Sequence, residues 1–206
     1  MKLSFAIATE SDALELAALH TAVAADLTNR FGSGFWSSSP SERGILANMC
    51  KPKFSRTLIA RGDRHIVGSL RLHTKKPWAI DTAYFTAAKQ PLYLTGMAVH
   101  PKLQRKGVGR LLLKEAEAVA RAWPADAIRL DAFDSAAGAG AFYAKCGFRE
   151  VARVIYKKVP LLYFELILSH QHQSLVPGAS VVPGAQKRLH QVSPRQQQES
   201  SSTRRR

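Results

Sequence analysis

The apolar positions of this chain switch repeatedly between strand-like runs and helical spacing, and the switches mark out its elements. Leu3 to Ala8 is a short apolar strand. Thr9 to Asp12 supplies cap-type residues just ahead of the helical pattern Ala13, Leu16, Ala17, Leu19, Val23, Leu27. Phe31 to Pro40, rich in Gly and Ser, predicts a loop, and Ser41 to Met49 predicts a second helix. Phe54 to Ala60 and His65 to Leu72 follow as two strands of a hairpin, joined through Arg61-Gly62-Asp63-Arg64 with Gly62 and Asp63 at the centre of the turn.

The second half continues the alternation. Lys75 to Pro91 has no clean period and predicts a long connection whose aromatics, Trp78, Tyr84 and Phe85, either line an acceptor pocket or fasten the connection to a sheet. Leu92 to Val99 is an apolar strand that leads through His100-Pro101 into Gln104-Arg105-Lys106-Gly107-Val108-Gly109-Arg110. From that turn on, Val108, Leu111, Leu112, Ala116, Val119, Ala120 and Trp123 recur at helical spacing, with Arg110, Lys114, Glu117 and Arg121 on the other side. Ala127 to Phe133 reads as a strand, Ala139 to Phe148 as a short helix ending at Gly147, and Glu150 to Lys157 and Leu161 to Leu168 as two last strands. The predicted order is βααβββαβαββ.

Composition changes this picture only at the end of the chain. From Ser169 onward Gln, Ser, Pro, Gly, His and Arg dominate, which predicts a disordered, basic, polar tail over 169–206 behind one domain over 1–168. With 206 residues, 46% of them hydrophobic, the chain can bury a sizeable core. No apolar run reaches the roughly 18 to 20 residues of a membrane span, and the N-terminus lacks a secretory pattern, so a cytoplasmic location away from membranes is expected. The 2 cysteines, Cys50 and Cys146, are too few for a disulfide framework and lack metal-ligand spacing, so both are expected as buried thiols and no metal is expected.

Candidate chemistry lies at the glycine turn, because a helix's first-turn amides and its dipole make a ready site for a phosphate. The spacing fits neither a P-loop nor the G-x-G-x-x-G dinucleotide fingerprint. It does fit Gln/Arg-x-x-Gly-x-Gly/Ala, as Gln104, Gly107 and Gly109, and the later Ala139-Gly140-Ala141-Phe142-Tyr143-Ala144-Lys145-Cys146-Gly147-Phe148 fits A-x-x-F-Y-x-x-x-G-F. At both places the chain resembles the GNAT superfamily of N-acetyltransferases, the resemblance covering Leu3 to Leu168 and strongest from Leu92 to Phe148.

That resemblance implies a mixed, mostly antiparallel sheet flanked by helices, with acetyl-CoA as acyl donor to a primary amine. It implies that the strand before the loop, through Met97, Ala98 and Val99, binds the pantetheine arm and the thioester carbonyl. Gly96 is consistent with a distortion there. Gln104, Arg105, Lys106, Gly107, Val108, Gly109 and Arg110 are implied for the pyrophosphate, and Tyr143 for protonating the departing thiolate. The family's carboxylate base is missing from Leu92–Val99, which leaves Asp81, His100, Asp131, Asp134, Glu165 or a water chain. Acceptor selectivity is expected from Phe31 to Met49 and from Lys75 to Pro91, without naming the acceptor.

Charge bears on the partner. The formal charge is +15, of which the tail carries +5 (six basic residues against Glu199), leaving +10 on residues 1–168. Such a surface suits nucleic acid, the phosphates of CoA, or solvation alone. Lys102, Arg105, Lys106, Arg110 and Lys114 gather around the proposed loop, favouring CoA. No recognisable nucleic-acid module is present, so nucleic acid is not the expected partner. A non-catalytic CoA-binding regulator and a basic nucleic-acid-binding protein stand as alternatives, and both monomer and homodimer are compatible with the chain.

Overall fold

The strand Pro91–Val99 pairs on both edges only along its first half. In the computed structural model, which describes residues 2–49 and 53–168, seven strands form one mixed sheet in the order β1-β2-β3-β4-β5-β7-β6. They are β1 (Leu3–Ile7), β2 (Ser55–Gly62), β3 (His65–His73), β4 (Pro91–Val99), β5 (Ala127–Phe133), β6 (Arg149–Tyr156) and β7 (Val159–Ile167). The helices are α1 (Ala13–Phe31), α2 (Glu42–Met49), α3 (Val108–Ala122) and α4 (Gly140–Lys145), so the predicted order of elements is the observed one. Cys50 and the expected tail over 169–206 lie outside the described residues.

Side chains alternate across a sheet, and here the two faces bury different partners. Leu92 and Leu94 of β4, Ile128 and Leu130 of β5, and Leu162 and Phe164 of β7 form the larger core with Leu112, Leu113 and Ala116 of α3 and Tyr143 of α4. On the opposite face, Leu16 and Leu19 of α1 and Ile45 of α2 cover Ile59, Ile66 and Ala98. The rest of that face is covered by the connection after β3, through Ile80 and Phe85 on Tyr93, Leu161 and Tyr163. Phe85 stacks on Tyr163 at 5.4 Å while Trp78 stays 85% exposed, so most of these aromatics fasten the connection to the sheet.

Three local expectations shift. α1 runs to Phe31, a turn beyond Leu27, before Gly32 ends it at φ 79°. The hairpin turn centres on Asp63 and Arg64, whose φ of 49° and 75° give the twist a two-residue turn needs, while Gly62 is already paired with His65. In α3 the buried stripe runs through Val108, Gly109, Leu112, Leu113, Ala116 and Ala120, which leaves Leu111 45% exposed.

Glu165 is 1% exposed on β7 and ties the connection down. It accepts from the Thr86 backbone N–H at 3.1 Å and the Thr86 hydroxyl at 2.6 Å, and pairs with Arg149. Burial alone would raise its pKa, but the donors from Thr86 and Arg149 outweigh it and hold the carboxyl below 4.5. Glu165→Ala should cost about 2 kcal/mol in urea unfolding at neutral pH, because it removes the hydrogen bonds that Thr86 and Arg149 make to a charged acceptor. A depressed folded-state pKa stabilises above the unfolded value, so the gap between wild type and variant should narrow as pH falls below 4.5.

Candidate active site

Among the described residues β4 and β5 are the only parallel neighbours, and they pair over just Pro91↔Ala127, Leu92↔Ile128 and Tyr93↔Arg129. Beyond Tyr93 they separate. On its other edge β4 stays with β3, but the register steps from Arg71↔Thr95 to Ser69↔Ala98, so β4 carries one extra residue at Gly96-Met97. That is a bulge, and Gly96 meets its need for a positive φ at 59°.

The separation opens into a cavity of about 620 Å³. Met97, Ala98 and Val99 of β4 form one wall, and Gln104, Arg105, Gly107, Gly109 and Arg110 the mouth of the glycine turn. Tyr143, Phe142, Lys145 and Cys146 close it from α4. Of the residues singled out in the sequence, Lys106 and Val108 do not line it: Lys106 is exposed in the turn, and Val108 is buried in the core at 2%. Val23, Leu27, Arg30 and Phe31 from the last turns of α1 also face in. Sequence reasoning missed them because only the tertiary crossing of α1 over β4 brings them there.

The turn is built for backbone exposure. Gly107 has φ 87° with nothing within 4 Å of a built Cβ, so its constraint is conformational. Gly109 is spatial: a Cβ there would lie 3.1 Å from Phe142 and 3.2 Å from Met97. The Gln104 side-chain amide donates to the Val99 carbonyl at 3.1 Å, fastening the turn to the end of β4. The N–H groups of Val108, Gly109 and Arg110 have no acceptor within the helix, and neither they nor those of Arg105 to Gly107 donate to a described residue. Arg30, Arg105, Arg110 and Lys145 line the cavity and no carboxylate does.

Tyr143 is 6% exposed, wedged among Phe142, Phe148 and Phe164, with its hydroxyl 3.6 Å from the Met97 sulfur at the bulge. Burial first, then the Asp131 carboxylate, raises its pKa far above the ordinary phenol value, so the phenol stays protonated at neutral pH. Asp131 sits on β5 past the point of separation; burial raises its pKa above 3.8, and its charge acts on both Tyr143 and Tyr163.

The other base candidates are engaged elsewhere. Glu165 is held by Thr86 and Arg149, and Asp134 pairs with Arg153 at 3.1 Å. Asp81 accepts from the Ala83 N–H at 3.0 Å, and His100 Nδ1 accepts from the Lys102 N–H at 3.3 Å. Across the opening, Phe35 and Trp36 from the segment after α1 lean on Phe133 at 6.2 and 6.0 Å.

Residues 21–148 match the model of the acetyltransferase (GNAT) family. The chain belongs to the GNAT family. Its fold recurs in solved structures: the PaiA N-acetyltransferase of Thermoplasma acidophilum in complex with coenzyme A is 16% identical at TM-score 0.62, covering 81% of this chain and 99% of that one. YncA of Salmonella typhimurium, with acetyl-CoA, is 16% identical at TM-score 0.61, covering 86% and 99%. The ribosomal-protein-S18-alanine N-acetyltransferase of Escherichia coli is 16% identical at TM-score 0.60, covering 84% and 99%. No match was found among curated proteins. In this GNAT chain, as expected from the sequence, a mixed sheet flanked by helices carries the glycine turn at the mouth of a cleft.

Gly107→Ala forces an L residue into the left-handed region without a steric clash. It should lower stability by about 1 kcal/mol in urea unfolding. Gly109→Ala, by contrast, should displace the Phe142 ring, visible as a shift of its aromatic resonances.

Proposed function

We propose that this GNAT acetyltransferase moves the acetyl group of acetyl-CoA to a primary amine by direct attack. One observation carries the reading: the cleft between β4 and β5 meets unpaired amides and cations at one end and a buried phenol hydroxyl beside the bulge at the other. Acetyl-CoA supplies an activated acetyl thioester. The amides from Arg105 to Arg110, with Arg105 and Arg110 side chains, suit the pyrophosphate, since a helix N-terminus and cations both favour anionic oxygens. The edge of β4 from Met97 to Val99 suits the pantetheine arm and thioester carbonyl, with the Val99 carbonyl already taken by Gln104.

Asp131 is our candidate base. It does not line the cavity itself, but its raised pKa and its charge's reach to Tyr143 support its drawing the proton of the attacking amine through water. Tyr143 then donates its proton to the departing thiolate and recovers one from solvent.

Tyr143→Phe removes only the hydroxyl and keeps the ring packing. It should slow kcat by about a hundredfold with the acetyl-CoA Kd unchanged, measured by thiol release and calorimetry. In the wild type kcat/KM should rise with pH as Asp131 ionises, with a midpoint above 3.8, and Asp131→Asn should remove that limb. CoA binding with no turnover of any primary amine would instead make the chain a CoA-binding regulator.

A further inference from the structure

On the far side of the bulge lies a second, smaller cavity of about 140 Å³, roofed by α1 and α2 and floored by β3. Gly96 lines it where Met97 lines the large cavity, and His20 of α1 lines it where Val23, one turn on, lines the large one. The two cavities therefore flank the bulge from either side. Its one charged lining residue is Arg71, with Leu16 and Ile45 apolar above and no Asp or Glu present.

The bonding around Arg71 leaves its charge open. Its Nε–H donates to the Thr95 hydroxyl at 3.2 Å. His73 Nδ1 lies 2.6 Å from the Lys75 carbonyl, which can only accept, so the proton sits on Nδ1. His73 Nε2 is then an acceptor, and Thr95 donates to it at 3.1 Å. Thr95 is thus fully committed, receiving from Arg71 and giving to His73. The two terminal nitrogens of Arg71 have no partner among the described residues, and Arg71 makes no ion pair with any of them.

We propose that the terminal nitrogens of Arg71 form a carboxylate-binding subsite, and that the acceptor amine is a small, amino-acid-like molecule whose carboxylate they hold beside the bulge. The paired N–H groups of a guanidinium match a carboxylate's two oxygens. The charge balance favours one negative charge over two: burial and then Arg71 lower the pKa of both His20 and His73, the latter to about 4, so Arg71 alone is charged at neutral pH. The Ser69 hydroxyl and His20 Nε2, 3.2 Å apart, line the approach to Gly96. An apolar side chain of such an acceptor would rest on Leu16 and Ile45.

This inference rests on the acetyltransferase reading, and two separate titrations keep their failures apart. Calorimetry of the full chain with CoA tests the acetyltransferase reading alone. The CoA-saturated chain is then screened by ligand-observed NMR against the common L-amino acids and, for each that binds, its carboxamide. The subsite predicts at least one amino acid that binds ten times more tightly than its amide. Arg71→Gln should lose that preference at least tenfold with CoA affinity unchanged, and Arg71→Lys should recover part of it. Binding of no amino acid, equal binding of acid and amide, or an Arg71→Gln variant that keeps the preference would overturn the proposal. The acid-to-amide comparison on the wild type needs no variant, so a misfolded Arg71→Gln protein leaves it decisive.

Discussion

Along its second half β4 can follow only one neighbour: the extra residue at Gly96-Met97 keeps it in register with β3 and turns its free edge away from β5. A regular sheet would have spent those backbone groups on a ladder. Here they border a cleft, and the elements around it are arranged by the same departure. α3 begins at the cleft because the chain leaves β4 there, α4 reaches into it with Tyr143, and α1 crosses above it with His20 on one side of the bulge and Val23 on the other.

The polar side chains divide by sheet face. The face under α3 and α4 is almost wholly apolar, and Tyr143 is its one hydroxyl aimed at the gap. The opposite face carries Ser69, Arg71, His73, Thr95, Arg129, Asp131 and Glu165, which the alternation of strands β3, β4, β5 and β7 sets on one side. Some of these are satisfied by each other or by the connection after β3. The terminal nitrogens of Arg71 and the buried Nε–H of Arg129 have no partner among the described residues, and a polar group left so is costly unless something else meets it.

Much of this was legible in the sequence. Strong local periodicity marked β4, α3 and β5, and the glycine spacing marked the turn, because those signals are carried by neighbouring residues. The hairpin turn slipped by one residue because Gly62 looks like the natural occupant of a positive φ, whereas Asp63 and Arg64 take it. Asp131 and Glu165 were indistinguishable as lone acids on apolar strands. Only the tertiary structure brings Arg149 of β6 and Thr86 of the connection to Glu165, while Asp131, paired with Tyr163, stands past the point where β4 and β5 separate. The subsite at Arg71 had no signal at all, since His20, Arg71 and Thr95 meet only through packing of α1 on the sheet.

Among the described residues, the three pairs between β4 and β5 are also the only ladder joining the β1–β4 half of the sheet to the β5–β7 half. Beyond them the halves are held by the shared core under α3 rather than by backbone hydrogen bonds. That seam is the shortest ladder of the sheet among the described residues, and short ladders are where backbone pairing is weakest. A molecule lodged in the cleft touches both halves at once. Occupying it and clamping the seam are therefore a single event, and by mass action an occupied cleft suppresses partial opening of the whole sheet.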